Sequence, residues 1–317
     1  MTRKSLDNEC GMGYKRSCLC SPAQNKINPH TEKMKLRIAV QSKGRLNEDT
    51  MAILAEAGIK VSSSKRTLLV SARKFPMEVL YLRDDDIPET VTDGVADIGV
   101  VGLNEYLERG GDADIVKRLG FGGCRLSIAI PKEHEYTGPQ WLQGRRIATS
   151  YPVILRRWLE EQGVQAHIHV ITGSVEISTG IGLADAIFDI VSSGATLVSN
   201  NLREVEVVLE SEAVLIAHKN LPAEKREILD KLLFRMDAVM TAADKRYVLM
   251  NAPKDCVEQI VAVLPGVKSP TIMPLAQDGW CSIHTVLDES CFWDIIGRLK
   301  EAGAQGILVL PIEKMIL

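Results

Sequence analysis

From residue 36 onward, short apolar runs alternate with stretches whose apolar positions recur every three or four residues, the rhythm of strands and amphipathic helices in α/β architecture. Residues 36–40 predict the first strand. Asn47 is placed to cap a helix ending near Ala57, where Gly58 supplies a stop. Further strands are predicted over 67–71, 78–82, 97–101 and 125–130, with a short helix over 85–93 that accepts Pro88 in its first turn. A looser stretch holding Gly138 and Pro139 reads as a hinge, and a second α/β unit follows it. Its elements are a strand over 146–149, a helix over 152–162, a strand over 167–171, a short helix from Val175 and a strand over 185–191. Runs over 205–209 and 213–218 lead out of it, back to the first unit. Two lobes with a cleft between them follow, since open α/β sheets bind ligands at the carboxyl ends of their strands.

A long helical pattern over 224–243 is followed by a different rhythm: strand 247–252, helix 255–264, strands 271–275 and 280–287, helix 289–302, strand 306–310. This β-α-β-β-α-β order is ferredoxin-like and suits an effector-sensing module or a dimerisation domain. The expected organisation is an extension over 1–33, a first lobe from 34–130 and 205–223, a second lobe over 131–204 and a C-terminal module over 224–317. The extension shows neither helical nor strand period and is expected to be a mobile tail, with Met34 a candidate start. Its Cys10, Cys18, Cys20 and His30 lack a paired metal-ligand spacing.

Composition narrows the chemistry. A chain of 317 residues with 45% hydrophobic and 25% charged residues is globular. A net charge of −3 and a pI near 6.1 argue against nucleic acid and against a polybasic membrane patch, leaving a small ligand. There is no long apolar span and no secretion-signal core, so a cytoplasmic location is expected. Seven scattered cysteines make no disulfide framework.

The most informative segment runs from Asp189 through Ile190-Val191 to Ser192-Ser193-Gly194-Ala195-Thr196. An acidic residue ends an apolar run just before small hydroxyl residues and glycine. Such a turn leaves backbone N–H groups unshielded for a phosphate, and Asp189 suits the vicinal hydroxyls of a ribose. An ordinary capped strand-to-helix turn gives the same local pattern. Lys43, Gly44 and Arg45 follow the first strand and suit a polyphosphate, or are solvated loop cations. Glu176 can join Asp189 in holding ribose hydroxyls or stabilising charge at a sugar carbon. Asp97 can face the cleft, and Tyr151 either stacks on a purine or is a buried structural tyrosine. Asp84, Asp85 and Asp86 are a magnesium cluster or a helix cap. No histidine lies in a catalytic context, and no Walker glycine-lysine or nucleophile elbow is present, which disfavours covalent catalysis.

With these residues in hand, the chain resembles ATP phosphoribosyltransferase in its long form. The motifs are Ser-Lys-Gly-Arg-Leu at 42–46, Arg-Asp-Asp-Asp-Ile-Pro at 83–88, Asp-Ile-Gly-Val-Val-Gly at 97–102, Phe-Gly-Gly-Cys-Arg-Leu-Ser at 121–127 and Arg-Ile-Ala-Thr-Ser-Tyr-Pro at 146–152. A signature over 176–197 joins Glu176 to Gly-Leu-Ala-Asp and the Ser-Gly-Ala-Thr-Leu turn. In the last module Leu-Pro-Gly at 264–266, Ser-Pro-Thr-Ile-Met-Pro-Leu at 269–275 and Ile-Leu-Val-Leu-Pro-Ile-Glu-Lys-Met at 307–315 match as well. Ile177-Ser178-Thr179-Gly180 departs from the family's usual Val-Ala-Pro-Arg, so no role of that arginine carries over.

The resemblance implies a two-lobed, periplasmic-binding-protein-like catalytic region with an ACT-like regulatory domain. It implies transfer of phosphoribosyl from phosphoribosyl pyrophosphate to N1 of ATP, the first step of histidine biosynthesis, with magnesium bridging pyrophosphate oxygens. By the same resemblance Asp189 and Glu176 serve the ribose, and Ser192 to Thr196 hold the 5-phosphate. Lys43, Arg45, Asp97, Arg125 and Tyr151 contact substrate, histidine inhibits through a region including Thr271, and the enzyme moves between homodimer and homohexamer. Two rivals remain on the residues alone. A solute-binding protein would need neither the phosphate turn nor the Lys43–Arg45 loop, and other phosphoribosyltransferases place two adjacent acids where this chain has Asp189 alone.

Overall fold

The computed structural model describes residues 34–62, 67–265 and 269–317; the expectation for 1–33 lies outside them. In chain order the first lobe supplies β1 (Leu36–Gln41), α1 (Arg45–Glu56), β2 (Lys60–Val61), β3 (Leu69–Arg73), β4 (Met77–Leu82), α2 (Ile87–Thr92), β5 (Ile98–Gly102), α3 (Leu103–Arg109) and β6 (Ala113–Arg118). The second lobe is β7 (Cys124–Pro131), β8 (Arg146–Thr149), α4 (Pro152–Glu161), β9 (His167–Val170), β10 (Ala186–Val191), α5 (Ala195–Ser199) and β11 (Leu202–Ser211). The chain returns through β12 (Ala213–His218) to α6 (Ala223–Ala242). It ends in β13 (Lys245–Pro253), α7 (Val257–Val263), β14 (Thr271–Pro274), β15 (Trp280–Asp288), α8 (Glu289–Glu301) and β16 (Gln305–Pro311).

The first sheet has seven strands in the order β2-β3-β4-β1-β5-β12-β6. Its inner strands read as near-continuous apolar runs because both faces are covered. Leu36, Ile38 and Val40 of β1, with Leu215 of β12, pack under α1 and α6, whereas Ala39, Val214 and Ile216 face α2 and α3. Because Ile228, Leu229, Leu232 and Met236 complete the first-lobe core, α6 belongs to that lobe, and the C-terminal module starts only at β13. The expected boundary at 224 is therefore corrected to about the start of β13.

The second sheet has five strands in the order β11-β7-β10-β8-β9. Strands β7 and β11 pair with each other, so both lie wholly in the second lobe, which runs from 124 to 211 rather than 131 to 204. The chain crosses between lobes at two adjacent places, tied by the amide of Ala213 on the Phe121 carbonyl (2.9 Å) and that of Leu119 on the Ala213 carbonyl (2.9 Å). The hinge is here, not at Gly138-Pro139.

The last module has strand order β14-β15-β13-β16, all antiparallel, with α7 and α8 covering one face. This is the expected ferredoxin-like arrangement. Two local expectations change. Asn47 lies inside α1, its side-chain amide donating to the Gln41 carbonyl (2.6 Å), and helix α1 begins two residues earlier, after Gly44. Strand β6 and helix α3 were not foreseen at all. The polar ends of α3 and the mixed Asp-Ile-Val-Lys run of β6, an edge strand, carry no clear period.

Candidate active site

Strands β1 and β5 of the first lobe and β8 and β10 of the second end at one cleft of about 290 Å³, lined by Gln41, Arg45, Asp84, Glu105, Tyr151 and Ser192 among others. After β10 the chain turns through Ser192 and Ser193 to Gly194, which adopts φ 78°, ψ 0° and opens α5. A side chain there would meet open space, with only Val191 Cγ1 at 3.9 Å, so glycine is required by backbone conformation and not by crowding. The first-turn amides of α5 have no partners inside the helix.

Asp189 stands on β10 beneath this turn, one oxygen accepting the Ile190 amide (2.8 Å). Burial pushes its carboxyl above the usual carboxylate range, the Ile190 bond opposes this, and the nearby charge of Glu176 adds to it. Glu176 sits half-buried in a short 3-10 turn, so the structure brings the two predicted acids within electrostatic reach of each other.

Arg125 does not offer its guanidinium to the cleft. It grips Glu204 through Nε (2.5 Å) and Nη2 (2.6 Å), and its Nη1 donates to the Ser192 carbonyl (3.2 Å). The expected substrate contact is thus a brace that fastens the start of the turn to β11. Arg45 lies on the first-lobe rim with its side chain 85% exposed and only a loose approach to Asp49 (3.8 Å). Lys43 is exposed beside it.

Asp97 is corrected outright. It precedes β5, at the opposite end of the sheet from the cleft, where its oxygens accept the Arg37 amide (2.7 Å) and Nζ of Lys225 (2.8 Å). It pins α6 to the sheet. Asp84 lines the cleft, but Asp85 pairs with Arg83 and Arg109, and Asp86 makes no side-chain cap to α2. Among the described residues no three acidic, histidine or cysteine side chains converge on a metal-sized point.

Tyr151 is buried, 7% exposed, and reaches across to the first lobe. Its hydroxyl donates to Glu105 (2.7 Å) and accepts from Nδ2 of Asn104 (3.2 Å). Asn104 is itself fixed by Ser211, whose hydroxyl donates to its Oδ1 (2.8 Å) and accepts its amide (3.0 Å). Burial raises the Tyr151 hydroxyl and also the Glu105 carboxyl; for Glu105 the Tyr151 bond and Arg109 pull down while Asp84 and Asp85 push up. Sequence reasoning missed Asn104, Glu105 and Ser211. The signal was available for the first two, which follow the carboxyl end of β5 directly.

In the C-terminal module Thr271 pairs in register with His284 on the sheet face away from α7 and α8, where the Tyr247 hydroxyl shares a hydrogen bond with His284 Nδ1 (2.6 Å). Among the described residues no helix is long and apolar enough to cross a membrane.

Fold and cleft together define a two-lobed α/β protein with one cleft lined by both lobes. Residues 83–238 match the HisG family, ATP phosphoribosyltransferase, and 242–314 match the HisG C-terminal domain. An ATP phosphoribosyltransferase of Bacteroides thetaiotaomicron is 70% identical over 282 residues, 89% of this chain and 100% of that protein. Another, of Cytophaga hutchinsonii, is 57% identical over 281 residues, 89% of this chain and 98% of that protein. A chain of the ATP phosphoribosyl transferase (HisG:HisZ) complex from Thermotoga maritima is similar with a TM-score of 0.55 and 28% identity, over 63% of this chain and 98% of that one. The chain belongs to the ATP phosphoribosyltransferase family, in the long form that carries the C-terminal domain.

Proposed function

We propose that this chain joins N1 of the ATP adenine to C1 of phosphoribosyl pyrophosphate, with inversion and release of pyrophosphate, at the head of histidine biosynthesis. The observation that carries the reading is the turn that follows Asp189 on β10 and passes through left-handed Gly194, its Ser192 lining one cleft with Arg45. The turn binds the 5-phosphate through its amides and hydroxyls, and Asp189 and Glu176 bind ribose hydroxyls and stabilise positive charge at C1. Arg45 and Lys43 take phosphates of ATP or pyrophosphate. A displacement through an oxocarbenium-like transition state needs alignment and charge stabilisation, which fits a cleft without an activated nucleophile.

A magnesium ion carried in with the substrate would supply positive charge to offset that of the leaving pyrophosphate. Asp84, half-buried in the cleft lining and bearing no ion pair there among the described residues, would be a carboxylate available to such an ion, which its substrate's phosphates would mainly hold. Histidine inhibits at the C-terminal module, with Thr271 among the contacts, through a change between homodimer and homohexamer. The enzyme works in the cytoplasm.

The test is formation of phosphoribosyl-ATP from the two substrates by purified protein with magnesium, followed with and without histidine. Absence of product overturns the reading of the reaction, and a rate indifferent to histidine overturns the regulatory part.

A further inference from the structure

Beside the hinge the two lobes touch through α3 and α4, and the contact is made by polar groups of complementary kind. Tyr151, the residue before α4, reaches Glu105 and Asn104 as described. One turn along α3, Glu108 spans the same gap: its carboxylate accepts the amides of Val153 (2.9 Å) and Ile154 (3.0 Å), the first free N–H groups of α4. Beside these bonds Leu107, Val153, Ile154, Trp158 and Leu209, with Arg157 and Glu161, line a small cavity of about 70 Å³ between the lobes. The start of α3 is in turn fixed to the hinge, because Glu212 accepts the Leu103 amide on its carbonyl (2.9 Å) and Ser211 holds Asn104. Gly102 is part of this fixture: a Cβ there would come within 2.5 Å of Asn104 Oδ1.

We infer that Glu105 is a positioning residue of the reaction: acting through the Tyr151 hydroxyl, it sets how closely the second lobe, with its Asp189 and phosphate turn, approaches the Arg45 rim of the first. This rests on the function proposed above. The Tyr151 hydroxyl lies near enough to Asp189 to feel its charge, so the clasp is adjacent to the group assigned to the sugar. It is also close to the hinge, where a small change of spacing becomes a larger one at the rims. Asn104 also bonds Ser211 and Glu105 has a longer approach to Arg109 (3.9 Å), but their bonds to the Tyr151 hydroxyl exist only while the lobes are closed on one another. Opening leaves Asn104 and Glu105 without their tyrosine, and the cost of such unmet groups favours a single lobe angle. Alignment of two substrates held on different lobes depends on that angle.

The experiment compares Glu105→Ala, Glu105→Gln and Tyr151→Phe with the unaltered full-length chain in steady-state kinetics and in amide exchange at Val153 and Ile154. Glutamine keeps an acceptor for the tyrosine hydroxyl, so Glu105→Gln recovers most of the rate. Glu105→Ala is expected to lower kcat about tenfold while KM for phosphoribosyl pyrophosphate, whose 5-phosphate and ribose are assigned to the second lobe, stays within about twofold. Adding Tyr151→Phe to Glu105→Ala costs little more, since both cut the same bond. Amide protection at Val153 and Ile154 falls in Glu105→Ala and not in Glu105→Gln. Equal losses in the glutamine and alanine variants, or full activity with unchanged protection in Glu105→Ala, overturn the inference. If the unaltered chain forms no product, the reaction reading falls and takes the kinetic role with it, whereas the amide exchange still reports whether the clasp joins the lobes.

Discussion

Arg125 of β7 reaches along the strand pair to Glu204 of β11 with two bonds of 2.5 and 2.6 Å, and the same guanidinium reaches the carbonyl of Ser192 at 3.2 Å. Arg125 thereby ties the turn that begins at Ser192 to the strand that leads back to the hinge. Replacing it with methionine should weaken phosphoribosyl pyrophosphate binding about tenfold, the worth of one charge-assisted hydrogen bond. Titration calorimetry with that substrate checks it.

The same pair shapes the acid limb of stability. Arg125 and Ser127 hold the Glu204 carboxyl below its ordinary value of 4.5, so the folded chain binds this proton less readily than the unfolded chain does. The associated stability is present above 4.5 and is lost as pH falls through the lowered value. Glu204→Gln should flatten this part of the curve, read from urea midpoints between pH 6 and about 3.

Asp189 carries the opposite sign. Its carboxyl is raised above 3.8, so the folded state holds the proton more tightly, and its contribution is complete below 3.8 and declines as pH rises through the raised value. Asp189→Asn should therefore be no less stable than the parent at pH 7, while turnover falls about a hundredfold. A denaturant midpoint that drops with activity would assign Asp189 to structure instead.

Gly194→Val places a β-branched residue at φ 78°. The strain costs about 1–2 kcal/mol, and relief of it moves the turn. Binding of phosphoribosyl pyrophosphate should weaken far more than that of ATP. Equal losses for both substrates would contradict the assignment of the turn.

Lys225→Met leaves Asp97, 7% exposed, without its cation. A loss of about 2 kcal/mol is expected from an ion pair this buried, with kcat at saturating substrate unchanged. Thermal unfolding and kinetics on one preparation separate the two effects.

Much of this was legible in the chain. Apolar runs mark the inner strands of both lobes because their sheets are covered on both faces, while edge strands β2 and β6 leave no such mark, and Ser192 to Thr196 announce a turn by residue type alone. What the pattern could not convey was which acid meets which cation. Asp97 and Asp189 both flank apolar strands, yet one precedes β5 and the other nears the end of β10, and only the latter end opens on the cleft. Nothing near Arg125 in the chain shows that its guanidinium is taken by Glu204, which the pairing of β7 with β11 brings within side-chain reach. Tyr151 likewise met its partners through a helix, α3, too short to show a period.

The position of β12 between β5 and β6 has a consequence for synthesis on the ribosome. The second lobe, residues 124–211, contains both strands of its closing pair and can finish before the chain goes further. The first lobe cannot: β5 and β6 have been waiting with bare edges since residue 118, and α6, which seals the sheet, emerges later still. The inserted lobe thus has every strand of its sheet in hand while the host sheet still lacks β12, and the cleft between them is complete only once β12 pairs with β5 and β6.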